Sequence, residues 1–109
     1  MKSFSALFAT VFCLLPATAH AADIAAGREL AGAQCRTCHG LDGIATIPIA
    51  PHLAGESEIY LQTQLKAFRS GEREHEMMTI VAEGLSDEEI VNLSAWYAAI
   101  EIFATMPPE

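Results

Sequence analysis

Two cysteines two residues apart with a histidine directly behind them, Cys35-Arg36-Thr37-Cys38-His39, restrict this chain more than any other feature. Thiols at i and i+3 lie one helical turn apart on one face, and the next side chain projects an imidazole from the same side. This is the attachment pattern of c-type haem: each thiol adds to one vinyl group, and the imidazole meets the iron. The thioether links hold the cofactor whatever the oxidation state of the iron. Other uses of the pair fit the sequence less well. A thioredoxin-like redox pair needs a βαβ setting, and no alternating strand pattern occurs. A zinc centre would recruit Cys35 and Cys38 with His75 or His52. Adjacent Cys38 and His39 leave little freedom for a closed tetrahedral site, and no second Cys or His pair follows.

The segment before the motif reads as an export signal. Lys2 opens it, an apolar run extends from about Phe4 to Leu15, Pro16 breaks the run, and Ala19-His20-Ala21 offers a small-x-small cleavage site. The run is shorter than the roughly 20 residues of a membrane-spanning helix. The expected division is therefore residues 1–21 as a signal peptide and 22–109 as one domain, periplasmic and without stable membrane insertion. Cys13 would leave with the signal, so Cys35 and Cys38 are the only cysteines of that domain. A chain of this size buries a modest core and commonly needs a staple, which a bound haem supplies.

Six Lys or Arg stand against fourteen Asp or Glu, a formal net charge of −8. Such a chain is a poor ligand for nucleic acid or anionic membrane and is suited to redox partners with a basic docking surface.

Three helices are legible. Asp23 caps one that runs from about Ile24 to Gln34, with Gly27 inside it at a cost of about 1 kcal/mol relative to Ala. A glycine there implies the close approach of another helix. Ser57 caps a second, to about Phe68, in which Ile59, Leu61, Leu65 and Phe68 recur near helical spacing. Gly71 follows its end. Ser86-Asp87-Glu88-Glu89 is a capping box for a third, whose apolar face holds Ile90, Leu93, Trp96, Tyr97 and Ile100. Two long connections, 40–55 and 71–85, are unusual for an empty bundle and suit a chain folded around a cofactor.

The iron needs a sixth ligand or an open position. Met77 and Met78 lie well along the chain in the second connection, and thioether sulfur is an axial ligand that raises the reduction potential. His75 is the rival and would give a lower-potential bis-histidine centre. Met106 is too near the terminus.

Taken in order, the motifs resemble the small class I c-type cytochromes of bacterial periplasms, including the single domains duplicated in dihaem members. The resemblance spans essentially all of residues 22–109. It rests on Gly27, Cys35–Gly40, Asp42-Gly43, Pro51-His52-Leu53-Ala54-Gly55, Tyr60-Leu61, Gln64-Leu65 and Phe68-Arg69-Ser70-Gly71. Met77-Met78, Leu85–Ile90 and Ala95-Trp96-Tyr97 complete it. It implies an all-α fold of three main helices and two long loops wrapped around one covalent haem c. It implies His39 as the proximal iron ligand and Met78, eight residues before Ser86, as the distal one. It also implies that the Pro51 carbonyl accepts a hydrogen bond from the His39 ring, which tunes the iron through its ligand. Gly27 and Trp96 fall where the first and last helices of such proteins cross, with the ring against bare backbone. Trp96 replaces a more usual tyrosine or phenylalanine. Glu56 and His52 replace residues common at their places and are expected to be surface changes. The charged run Glu72–Glu76 is expected to be a solvated loop that can add to a docking rim.

The function implied is transfer of single electrons by a protein that is not itself an enzyme. An alternative is a dedicated cytochrome subunit of a periplasmic molybdenum or flavin dehydrogenase. A haem gas sensor or peroxidase would instead require an open or labile distal position.

Overall fold

The computed structural model describes residues 21–109, so the expected signal segment lies outside it except for Ala21. The described residues hold five helices and no strand: α1 Ile24–Gln34, α2 Arg36–His39, α3 Glu58–Ser70, α4 Met78–Glu83 and α5 Asp87–Ala98. The three long helices begin where the capping residues placed them. Asp23 accepts from Ala26 N–H, and Ser57 accepts from Tyr60 N–H. Ser86 and Glu89 form the reciprocal box at the start of α5, at 3.1 and 2.8 Å. Each satisfies backbone donors that the first turn leaves without partners.

Two helices were not expected. The Cys-x-x-Cys-His segment itself makes the single turn α2, and the second connection contains α4. The run 78–83 is too short for its apolar period to stand out, and its cap is not one of the usual residue types.

α1 and α5 cross at near-contact of their backbones. A Cβ built on Gly27 would lie 2.0 Å from the Asn92 carbonyl oxygen, so only glycine permits this approach. Asn92 fastens the same crossing by accepting from Asp23 N–H at 2.8 Å. The atoms nearest a Cβ on Gly27 are thus backbone atoms of Asn92 and Leu93. Trp96, one turn beyond Asn92, has its ring beside the Arg28 guanidinium at 5.7 Å, and its indole N–H donates to the Leu41 carbonyl at 3.0 Å.

α5 also holds the first long connection. The buried Tyr97 hydroxyl donates to Gly40 O at 3.0 Å, and Gly55 N–H donates to Tyr97 O at 3.0 Å. Within the loop, Gly43 O accepts from Leu53 and Ala54 N–H at 2.8 and 3.1 Å. Gly43 has φ +74°, and a Cβ there would strike the Ala54 backbone, so it is glycine for both reasons. His52, expected as a plain surface change, is exposed but bonded: its Nδ1 accepts from Ala45 N–H at 2.8 Å.

The core is Ala31, Leu61, Leu85, Ile90, Leu93 and Tyr97, with half-buried Cys35, Leu41, Leu53 and Leu65 packed against it. It is thin, as expected for a chain of this length: Ile90 and Ser94 are the largest side chains with essentially no exposure. At the end of α3, Arg69 donates to the Leu85 carbonyl at 2.9 Å and pairs with Asp87.

Two stability changes follow. Gly27→Ala gains about 1 kcal/mol of helix propensity yet must force α1 from α5, and overpacking of this kind costs about 1–3 kcal/mol. A net loss of stability is expected in urea unfolding of the haem-loaded protein. Tyr97→Phe removes the nearer of the two donors to the buried Gly40 carbonyl, leaving Gly43 N–H at 3.3 Å, and is expected to cost about 1 kcal/mol in the same assay.

Candidate haem site

The two thiols are set by a break between α1 and α2. Cys35 N–H still bonds Ala31 O at 2.9 Å, completing the α1 ladder. The chain then turns once more: His39 N–H reaches Cys35 O at 3.0 Å, and Gly40 N–H reaches Arg36 O at 3.0 Å. Cys35 and Cys38 are both free thiols and both half-buried. Burial pushes the Cys35 thiol up to about 11, against a smaller opposing effect of the Tyr97 hydroxyl beside it. Cys35 is therefore a neutral thiol at physiological pH. Burial likewise raises the Tyr97 phenol above its ordinary value.

His39 is buried, at 7 % exposure, and its Nδ1 lies 2.9 Å from the Pro51 carbonyl oxygen. A carbonyl only accepts, so Nδ1 carries the proton and Nε2 is left with its lone pair, the form that ligates a metal. The other two described histidines are in the opposite state. His52 Nδ1 accepts from Ala45 N–H, and His75 Nδ1 accepts from Met77 and Met78 N–H at 3.2 and 3.4 Å. In a neutral ring this puts the proton on Nε2. Of the three, His39 alone offers an Nε2 lone pair.

Met78 opens α4 and is half-buried, whereas its neighbour Met77 is 53 % exposed. Met106 stands in the exposed tail. The structure thus gathers Cys35, Cys38, His39 and Pro51 at one place and sets Met78 on a separate helix that packs against α3. Three arginines have partners within the protein. Arg73 donates to Gln64 Oε1 at 2.6 Å and lies over the Phe68 ring, and Arg28 lies over Trp96. Arg69 holds the Asp87 carboxyl below its ordinary range by hydrogen bond and charge.

Sequence reasoning missed three contributors: the Tyr97 hydroxyl on Gly40, the His75 ring on α4, and the Arg69 clasp. Tyr97 carried a signal, since a buried tyrosine wants a partner for its hydroxyl. The others depend on tertiary approach and carried none.

The donor chemistry fits c-type haem. Two free thiols stand a turn apart, beside an imidazole with a free Nε2, and a thioether lies on another element. No three His, Cys, Asp or Glu side chains come together as metal ligands among the described residues, so the residues do not form the zinc centre weighed above.

Comparison with known proteins agrees. Residues 22–96 match the family model described as cytochrome C oxidase, cbb3-type, subunit III. The chain is 44 % identical over 84 residues to cytochrome c-554(548) of Halomonas halodenitrificans, covering 74 % of this chain and 100 % of the relative. Reduced recombinant cytochrome c4 from Pseudomonas stutzeri superposes with a TM-score of 0.68 at 31 % identity, over 74 % of this chain and 47 % of that one. Thiosulfate dehydrogenase (TsdBA) from Marichromatium purpuratum gives a TM-score of 0.66 at 36 % identity, over 72 % and 19 %. The chain spans the whole of the first relative, under half of the second and about a fifth of the third. It belongs to the c-type cytochromes, the family that carries haem c, with its iron, on a Cys-x-x-Cys-His segment.

Proposed function

We propose that this chain is a periplasmic single-electron carrier, not itself an enzyme, in which Cys35 and Cys38 tether the haem and His39 and Met78 ligate its iron. The observation that carries the reading is the His39 ring, buried and held by the Pro51 carbonyl with Nε2 free. The bound haem supplies a one-electron couple between ferric and ferrous iron. The protein's residues do the rest. Pro51 keeps the proton on Nδ1 and the ring in one orientation, and this makes the imidazole a stronger donor. Met78 brings a neutral thioether, which favours the ferrous state and raises the potential. With His39 and Met78 both holding the iron, no coordination site would remain for a substrate, and this favours a carrier over a sensor or peroxidase.

Residues 22–109 make up the cytochrome domain in this reading, and the segment 1–21 exports it. No helix among the described residues is long and apolar enough to cross a membrane. The docking surface lies over α4. Met77 and Ile80, at i and i+3 on one face, are both exposed, Ile80 at 71 %. Exposed Glu74, Glu76 and Glu83 surround them in sequence. An apolar centre with an acidic rim suits a redox protein with a basic rim, and charge of this kind acts mainly on the rate of encounter. The likeness to thiosulfate dehydrogenase favours a second reading in which that partner is a dehydrogenase to which this chain is dedicated.

Visible spectra of the exported, haem-loaded protein test the ligand assignment. Low-spin iron with the weak far-red band of methionine-bound ferric haem is expected. Met78→Ala is expected to abolish the band and lower the potential, and Met77→Ala to keep both. A high-spin spectrum, or carbon monoxide binding to the reduced protein at neutral pH, would instead show an open distal position. Stopped-flow reduction tests the surface. A cationic reductant is expected to react faster than an anionic one of equal driving force, with an advantage that shrinks as salt is added. Equal rates would remove the acidic docking rim.

A further inference from the structure

We propose that His75 is a positioning residue for the distal methionine, acting as the cap that holds the first turn of α4. The proposal rests on Met78 as the distal ligand. The regular helix starts at Met78, and Met77, at its formal cap position, gives no side-chain hydrogen bond. The role has moved two residues outward. Thr79 N–H bonds His75 O at 2.9 Å, an i→i−4 bond that extends the helical turn back through Glu76 and Met77. His75 then occupies the cap of that extended turn, and its Nδ1 accepts from the N–H groups of Met77 and Met78. These are the second and third donors of the turn, the ones a Ser, Asp or Asn cap serves. The bonding is reciprocal, since His75 N–H donates to Thr79 Oγ1 at 3.0 Å. One backbone donor that His75 satisfies belongs to Met78 itself, so the cap fixes the Cα from which the thioether projects.

The same geometry separates His75 from the ligand role for which it competed. A neutral ring that accepts at Nδ1 carries its proton on Nε2 and has no lone pair there for iron. His75 and His39 thus use one side chain in two opposite ways. The α4 turn has few other supports: Ala82 is its single buried residue, and it is too short to be stable alone.

The experiment uses the haem-loaded protein and four variants: His75→Ala, His75→Asn, His75→Asp and Thr79→Val. Two readouts are taken. The first is the apparent affinity of the ferric protein for imidazole, which binds only where the methionine has left the iron. The second is hydrogen exchange at the Met77 and Met78 amides. His75→Ala is expected to raise both by roughly fivefold, the effect of losing one cap. His75→Asn and His75→Asp, which can accept from the same donors, are expected to restore values near wild type. Thr79→Val, which removes only the reciprocal bond, is expected to fall between. Urea unfolding of the α1–α5 core reports overall folding, and its midpoint is expected to shift little.

Unchanged exchange and unchanged imidazole affinity in His75→Ala would overturn the cap. Loss of low-spin iron in His75→Ala, with retention in Met78→Ala, would make His75 the ligand and overturn it as well. A wild-type protein without the methionine band would defeat the ligand assignment alone, and the amide exchange would still decide the cap.

Discussion

At the crossing of α1 and α5, the peptide backbone of one helix meets that of the other. Gly27 makes room for the Asn92 carbonyl, and Asn92 returns a side-chain acceptor to Asp23 at the start of α1. Everything near the haem motif is built out from that contact. Its position sets where α1 ends and α2 begins, and so where the two thiols stand. It also sets the rotation of α5, which presents Trp96 and Tyr97 to the loop after His39. Those two aromatics hold the carbonyls of Leu41 and Gly40. The loop they anchor returns through Leu53 and Ala54 to Gly43 and delivers the Pro51 carbonyl to the His39 ring. A contact between two helices with no ligand role thus fixes the tautomer of an imidazole on a third.

Proton placement, rather than residue type, distinguishes the histidines. The three described ones all present Nδ1 to a backbone group, and the sign of that group decides the outcome. A carbonyl leaves Nε2 free for iron, whereas an amide N–H leaves it protonated. Composition cannot express this difference. It depends on whether the loop that meets the ring offers an acceptor or a donor, and a proline at that place contributes a carbonyl without a competing N–H.

The features legible in sequence were those with local causes. Capping residues placed the starts of α1, α3 and α5, because a cap acts within one turn. Gly27 announced a close approach, because a glycine inside a helix is costly without one. Cys35, Cys38 and His39 declared the haem through spacing alone. What stayed hidden depended on residues brought together from far apart. That the Asn92 carbonyl is what Gly27 makes room for is one such case, since a backbone atom of a distant residue leaves no side-chain signal in the sequence. α4 was read as loop because six residues give too short a period. His75 was weighed as a ligand because its actual use, a cap, is usually taken by Ser, Thr, Asp or Asn.

The Arg69 clasp joins the last turn of α3 to the first of α5 across eighteen positions of chain. It pins both ends of the segment that carries Met78, while α4 adds one buried residue, Ala82. The segment is thus held by ties at its ends and by its packing on α3, and it contributes little to the buried core. With Met78 as the proposed ligand, substitutions in this segment would alter the electron affinity of the iron and the face shown to partners together, without recutting the core. On that ligation, the haem tether and the tuning of the haem would be inherited as two parts.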